Sequence, residues 1–134
     1  MIRVLRLTIG GIFIYAGALK VMDPTQFAKD VDNYDLLPSV AAAAVVALYL
    51  PWIEIIAGTA LALTKWHRGA SLVIAGLLIA FIAALSSDWA RGLDINCGCF
   101  GHGTNKSNYP LAVVLDAGLL VALCFSVDFS TRIK

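Results

Sequence analysis

Apolar residues run almost unbroken through four stretches of the chain, residues 4–21, 40–63, 69–85 and 111–127, while polar residues gather between them. A helix that crosses roughly 30 Å of hydrocarbon needs about 20 mostly apolar residues, and each stretch comes close to that length. The pattern predicts an all-α fold: a four-helix transmembrane bundle in which residues 1–134 form one integral-membrane domain. Between the first and second spans, Asp23-Pro24-Thr25-Gln26 carries the marks of a helix start, with an aspartate cap and proline at the first helical position. Phe27, Val31 and Tyr34 recur at helical spacing after it. A short amphipathic helix is therefore expected in this connection, resting that face on the bundle or the bilayer boundary while Lys29, Asp30 and Asp32 face water.

Composition agrees with lipid as the solvent. Of 134 residues, 60% are hydrophobic and 14% charged, outside the range of water-soluble domains. The N-terminal run shares features with a signal peptide, since Arg3 and Arg6 precede it and Ala16-Gly17-Ala18 resembles a cleavage site. A retained first span is nevertheless the expectation. Small residues are frequent in the spans, among them Gly10, Gly11, Gly58, Gly76 and Gly118, and allow helices to approach closely where lipid gives no hydrophobic drive for association. Pro51 removes a backbone donor inside the second span. No nucleotide-binding glycine motif is present, and no nucleic acid is expected as a partner.

Basic residues near span ends are retained on the cytoplasmic side. With four spans, one side collects Arg3, Arg6, Lys65, Arg68, Arg132 and Lys134; the other holds Lys20, Lys29, Arg91 and Lys106 among aspartates. Both termini are expected in the cytoplasm. The connections over residues 22–39 and 86–110 then face the exterior, which in a bacterium is the periplasmic side of the inner membrane. The turn Lys65-Trp66-His67-Arg68 joins spans two and three, and His67 reads as an interfacial anchor.

Two acids fall inside predicted spans, Glu54 in the second and Asp116 in the fourth. An unaccompanied charge at the bilayer centre costs at least about 2.5 kcal/mol, so both should face inward. Each reads either as a functional carboxylate or as a bonded structural acid. Arg91 stands at a depth from which it could reach Asp116. No basic residue obviously matches the depth of Glu54, which is expected to be neutral or bonded to hydroxyl, indole or backbone groups, a candidate proton donor or acceptor.

The second outer connection contains DINCGCFGHG at residues 94–103. Cys97 and Cys99 flank Gly98, and a turn there can bring their alpha carbons within the about 6.8 Å that a disulfide requires. So small a ring closes almost no loop and adds little as a staple, whereas strained or exposed disulfides exchange readily. On the oxidising side of a membrane such a pair can persist as a disulfide, which favours a redox role. A metal reading needs His102 as a third ligand and Asp94 as a fourth, and the CxC gap is tighter than in structural zinc sites; no metal is expected. His102 as an imidazolium would favour a thiolate, or stand in the loop without a role. Asp94 and Asn96 suit turn capping. Cys124, deep in the fourth span, reads as core packing. With one usable pair, electrons must leave through an external thiol partner or through a membrane-soluble acceptor such as a quinone, a candidate for which the residues define no binding site.

Four segments together resemble a known family: LKVMDPTQFAKDVDNYDLLP at residues 19–38, PWIE at 51–54, KWHRGA at 65–70 and RGLDINCGCFG at 91–101. They look like the MauE branch of the DoxX-like membrane proteins, over nearly the whole chain. The resemblance implies a four-helix membrane bundle similar in plan to the quinone-linked disulfide-forming proteins of bacterial membranes. It implies a thioredoxin-like periplasmic partner and a part in disulfide formation in exported proteins, such as the small subunit of methylamine dehydrogenase. By position it implicates Cys97 and Cys99, with Arg91, Asp94 and Glu54 in support. The fourth span departs from the family pattern, with Leu115-Asp116 where an Arg-Asp pair is expected. The resulting expectation is a thiol-disulfide oxidoreductase. Its rivals are a non-catalytic anchor for a thioredoxin-like maturation protein and a quinone-linked oxidoreductase of the DoxX type.

Overall fold

A computed structural model describes residues 1–92 and 109–132. The described residues form five helices and no strand: α1 (Ile2–Met22), α2 (Pro24–Asn33), α3 (Val40–Leu63), α4 (His67–Arg91) and α5 (Tyr109–Arg132). All but α2 contain a stretch long and apolar enough to cross a membrane. α4 extends past residue 85, where the apolar run stops, to Arg91; Asp88 continues its buried face one turn beyond Leu85, and Gly92 ends it.

The helix limits follow from local chemistry. The Asp23 carboxylate accepts from the Gln26 N–H at 3.1 Å and Pro24 opens α2. Ser39 caps α3 by accepting from the Ala42 N–H at 3.2 Å. Thr64 ends α3 with its hydroxyl donating to the Ala60 carbonyl at 2.7 Å, then accepts from the Trp66 N–H to shape the turn into α4. Gly92 closes α4 at φ 67, the left-handed geometry that favours glycine.

α1 and α3 make the most extensive pairing, and they run antiparallel: Gly10 lies against Gly58 and Ala62, Gly17 against Pro51 and Ile55. α4 and α5 form the second antiparallel pair, with Arg68, Ser71 and Leu72 beside Leu123, Cys124 and Val127. The shared core is Ile9, Phe13, Ala57, Leu61, Ala70, Ile74, Leu78 and Leu123. Large apolar side chains such as Val4, Tyr15, Leu48, Ile56, Leu72, Ile79 and Val121 point outward. In water such a surface would be untenable; against hydrocarbon it is the favourable one. Trp66 and Trp89, both exposed, mark the two ends of α4 at positions suited to the bilayer interfaces.

α2 carries the expected buried Phe27, with Lys29 and Asp32 exposed. Asp30 departs from expectation. It is buried, three residues from Phe27 on the same face, and its carboxylate accepts from the Gln26 amide at 3.0 Å, which lets it leave water. Cys124 departs in the opposite sense. It sits on the exposed face of α5 beside buried Leu123, because the inward stripe of α5 runs Asp116, Leu119, Leu123, Ser126 and leaves position 124 outside it.

Candidate functional site

The expected partner of Glu54 was hydroxyl, indole or backbone; the structure gives it a cation. Lys20 Nζ donates to Glu54 Oε1 at 2.6 Å, and the two side chains are 3% and 1% exposed. The pair was hidden because Lys20 lies in the last turn of α1, where a lysine usually reaches for the interface. The helical period does place it inward, seven residues from Phe13 and three from Gly17, both on the face of α1 turned to α3. Gly17 lets α3 close up there, so the ammonium meets the carboxylate directly.

The surroundings of this pair draw on every helix. The Phe27 ring of α2 and the Phe81 ring of α4 lie 5.1 and 4.7 Å from the ammonium, within cation–π range. Asp116 of α5, buried, lines the same small cavity as Lys20 and Glu54. The cavity holds about 30 Å³ and is bounded also by Phe13, Ala16, Leu78 and Leu119. Glu54 Oε2 is buried with no hydrogen-bond partner in the described structure.

Arg91 and Asp116 do not pair as expected. Arg91 instead donates to the carboxylate of Asp88 at 3.1 Å and to the Tyr34 carbonyl at 2.6 Å, with Asp35 at 4.0 Å. The reason is helical register: Asp88 and Arg91 are three apart on α4, while Asp116 lies about 10 Å down α5 from Tyr109 at 1.5 Å per residue. Asp88 is fully buried and escaped sequence reading because it follows the apolar run. Its spacing from Leu78, Phe81 and Leu85 is nonetheless that of one helix face. Arg91 thus ties the end of α4, from which the 93–108 connection leaves, to the segment between α2 and α3. Arg91→Met should cost about 1–3 kcal/mol by leaving the buried Asp88 carboxylate without its partner, read as unfolding free energy in mixed micelles; an unchanged value would mean that Asp88 is satisfied elsewhere.

Cys97, Cys99, Asp94 and His102 lie outside the described residues. Arg91, in the last turn of α4 before them in sequence, contacts Tyr34 just beyond α2. Cys124 is about 22 Å along α5 from Tyr109, near the opposite end. Among the described residues no cluster of His, Cys, Asp and Glu could hold a metal ion.

These features define a class: a multi-pass helical membrane protein with a buried ion pair where its helices meet. The family described as methylamine utilisation protein MauE matches residues 1–128, and the chain belongs to it. The methylamine utilization protein MauE of Paracoccus denitrificans is 34% identical over 124 residues, covering 92% of this chain and 66% of the relative. That of Methylophilus methylotrophus is 32% identical over 109 residues, covering 81% and 57%. That of Methylorubrum extorquens is 34% identical over 104 residues, covering 77% and 55%. The chain therefore spans little more than half to about two thirds of the length of these relatives. No solved structure matches.

Proposed function

We propose that this protein is a thiol-disulfide oxidoreductase of methylamine utilisation, acting as one integral unit of the bacterial inner membrane with both termini in the cytoplasm. Cys97 and Cys99 exchange a disulfide with a thioredoxin-like protein on the periplasmic side, in the maturation of exported disulfide-containing proteins. The observation that carries this reading is the Cys97-Gly98-Cys99 spacing on the connection between α4 and α5. Family membership supports the setting, since the relatives are named for methylamine utilisation.

The exchange balances without other reagents. A partner thiolate attacks one sulfur of the Cys97–Cys99 bond, a mixed disulfide forms, and the displaced thiolate takes a proton. The partner's second thiol, losing its proton, then breaks the mixed bond. The partner is oxidised by two electrons and the pair is reduced; the reverse sequence reduces the partner. His102 stands close in sequence to favour a thiolate and accept its proton, with Asp94 in support beside the pair, and Arg91 ties the end of α4 to Tyr34. Where the pair must be reoxidised, a quinone is the candidate acceptor.

Trapping tests the proposal. Cys97→Ala or Cys99→Ala should leave a single thiol that accumulates a mixed disulfide with the thioredoxin-like partner, and target disulfide formation in cells should fall. An impermeant maleimide should label the remaining thiol from outside. Unchanged target disulfides in both variants would remove the catalytic reading and leave a membrane anchor for the partner in its place.

A further inference from the structure

The cluster at the centre of the bundle contains two acids and one base. Lys20 and Glu54 neutralise each other at 2.6 Å. Asp116, buried and facing the same cavity, is the third ionisable group, so with all three charged this cluster would hold one uncompensated negative charge at hydrocarbon depth. Isolated charge there is expensive, and groups so placed lose it by taking up a proton. Other charged groups do not offset it. On α2, Asp30 is acidic and bonded to Gln26; on α4, Asp88 is acidic and already bonded to Arg91, which lies ten residues beyond Phe81. The side chains that α2 and α4 bring to the ammonium are the uncharged rings of Phe27 and Phe81.

A second, independent feature says where the proton is shared. Glu54 Oε2 is almost wholly buried and without a partner, and its residue lines the same cavity as Asp116. At about 30 Å³ the cavity is large enough for a bridging water. We propose that Glu54 and Asp116 share one exchangeable proton across this cavity while Lys20 stays charged, forming a buried proton-binding site. The site lies about 10 Å below the point where the cysteine-bearing connection enters α5. It does not depend on disulfide exchange by Cys97 and Cys99.

The test counts protonated carboxyls by infrared spectroscopy of the full chain in lipid nanodiscs near neutral pH. The unmutated protein should show one deuterium-sensitive carboxyl C=O band, and its loss on raising the pH should release one proton per chain. Charge balance predicts that Glu54→Gln and Asp116→Asn each abolish the band, because each leaves Lys20 with one carboxylate. Lys20→Met should double it. In the unmutated chain, heavy-carbon labelling of aspartate and of glutamate should each shift part of the band, a result that requires no variant to fold. Absence of the band, its survival in both variants, its loss in only one, or a shift with a single label would each overturn the sharing. None of these readouts involves a thiol, so a failure of the exchange reading leaves them untouched.

Discussion

Lys20→Met is expected to destabilise the folded bundle by about 3–5 kcal/mol, the usual cost of removing one partner from a buried ion pair. The substitution keeps the volume and apolar stem of the side chain, so most of the loss comes from what remains. Glu54 is 1% exposed and its Oε1 would lose the ammonium at 2.6 Å, while Oε2 already has no partner. Asp116 would lose the ammonium with which it shares a cavity as well. The rings of Phe27 and Phe81 would lose cation–π contacts worth about 0.5–2 kcal/mol each. Adding Glu54→Leu should restore most of the stability, because apolar replacement of a whole buried pair is often neutral or favourable. The measurement is a double-mutant cycle on unfolding free energy in mixed micelles. A single variant within about 1 kcal/mol of the parent would show that the pair is not buried as described.

That recovery bears on why the pair exists. If an apolar substitute folds as well, stability alone does not account for a lysine and two acids in hydrocarbon, and a role in holding a proton becomes the physical reason for the arrangement. The cycle and the infrared count therefore answer different questions about the same side chains. The first measures what the charges cost the fold, and the second how many protons they hold.

The architecture was legible because four long apolar runs admit few alternatives in a bilayer, and the α2 cap signals, Asp23 with Pro24, are local. Partnerships were less legible. Lys20 is counted in the sequence only among the basic residues of the outer side, and Arg91 is placed only by its depth. Each instead follows the helical face to which it belongs: Lys20 continues the stripe Gly10, Phe13, Gly17, and Arg91 follows Asp88 by three residues. Depth along the membrane suggested Arg91 as the partner of Asp116, but depth alone omits rotation about the helix axis. Cys124 was misplaced for the same reason, since membership of a buried span says nothing about which side of it a residue occupies. Cys97 and Cys99 were found by spacing, and spacing remains the support for their role.

The close seam between α1 and α3 leads to the second large effect. A Cβ on Gly10 would stand 2.5 Å from the Gly58 carbonyl oxygen and 3.0 Å from the Ala62 Cβ; one on Gly58 would stand 2.7 Å from the Gly10 carbonyl oxygen. Backbone atoms on both sides cannot rotate away, so Gly10→Ala or Gly58→Ala must push the helices apart, at about 1–3 kcal/mol each. Gly11, on the same helix, has nothing within 4 Å of its added Cβ. Gly11→Ala should therefore be neutral or stabilising by up to about 1 kcal/mol through helix propensity. A contrast of that sign between adjacent glycines would be hard to obtain from lipid exposure or propensity alone. Gly17 extends the argument to the ion pair, because its added Cβ would meet Ile55 at 2.7 Å, the Pro51 carbonyl oxygen at 2.8 Å and the Glu54 Cβ at 3.3 Å. Gly17→Ala should displace Glu54 from Lys20 as it widens the seam. Combined with Lys20→Met it should then cost less than the sum of the two single changes, since part of what each removes is the same bond. Strict additivity in that cycle would mean that the helices separate without disturbing the pair.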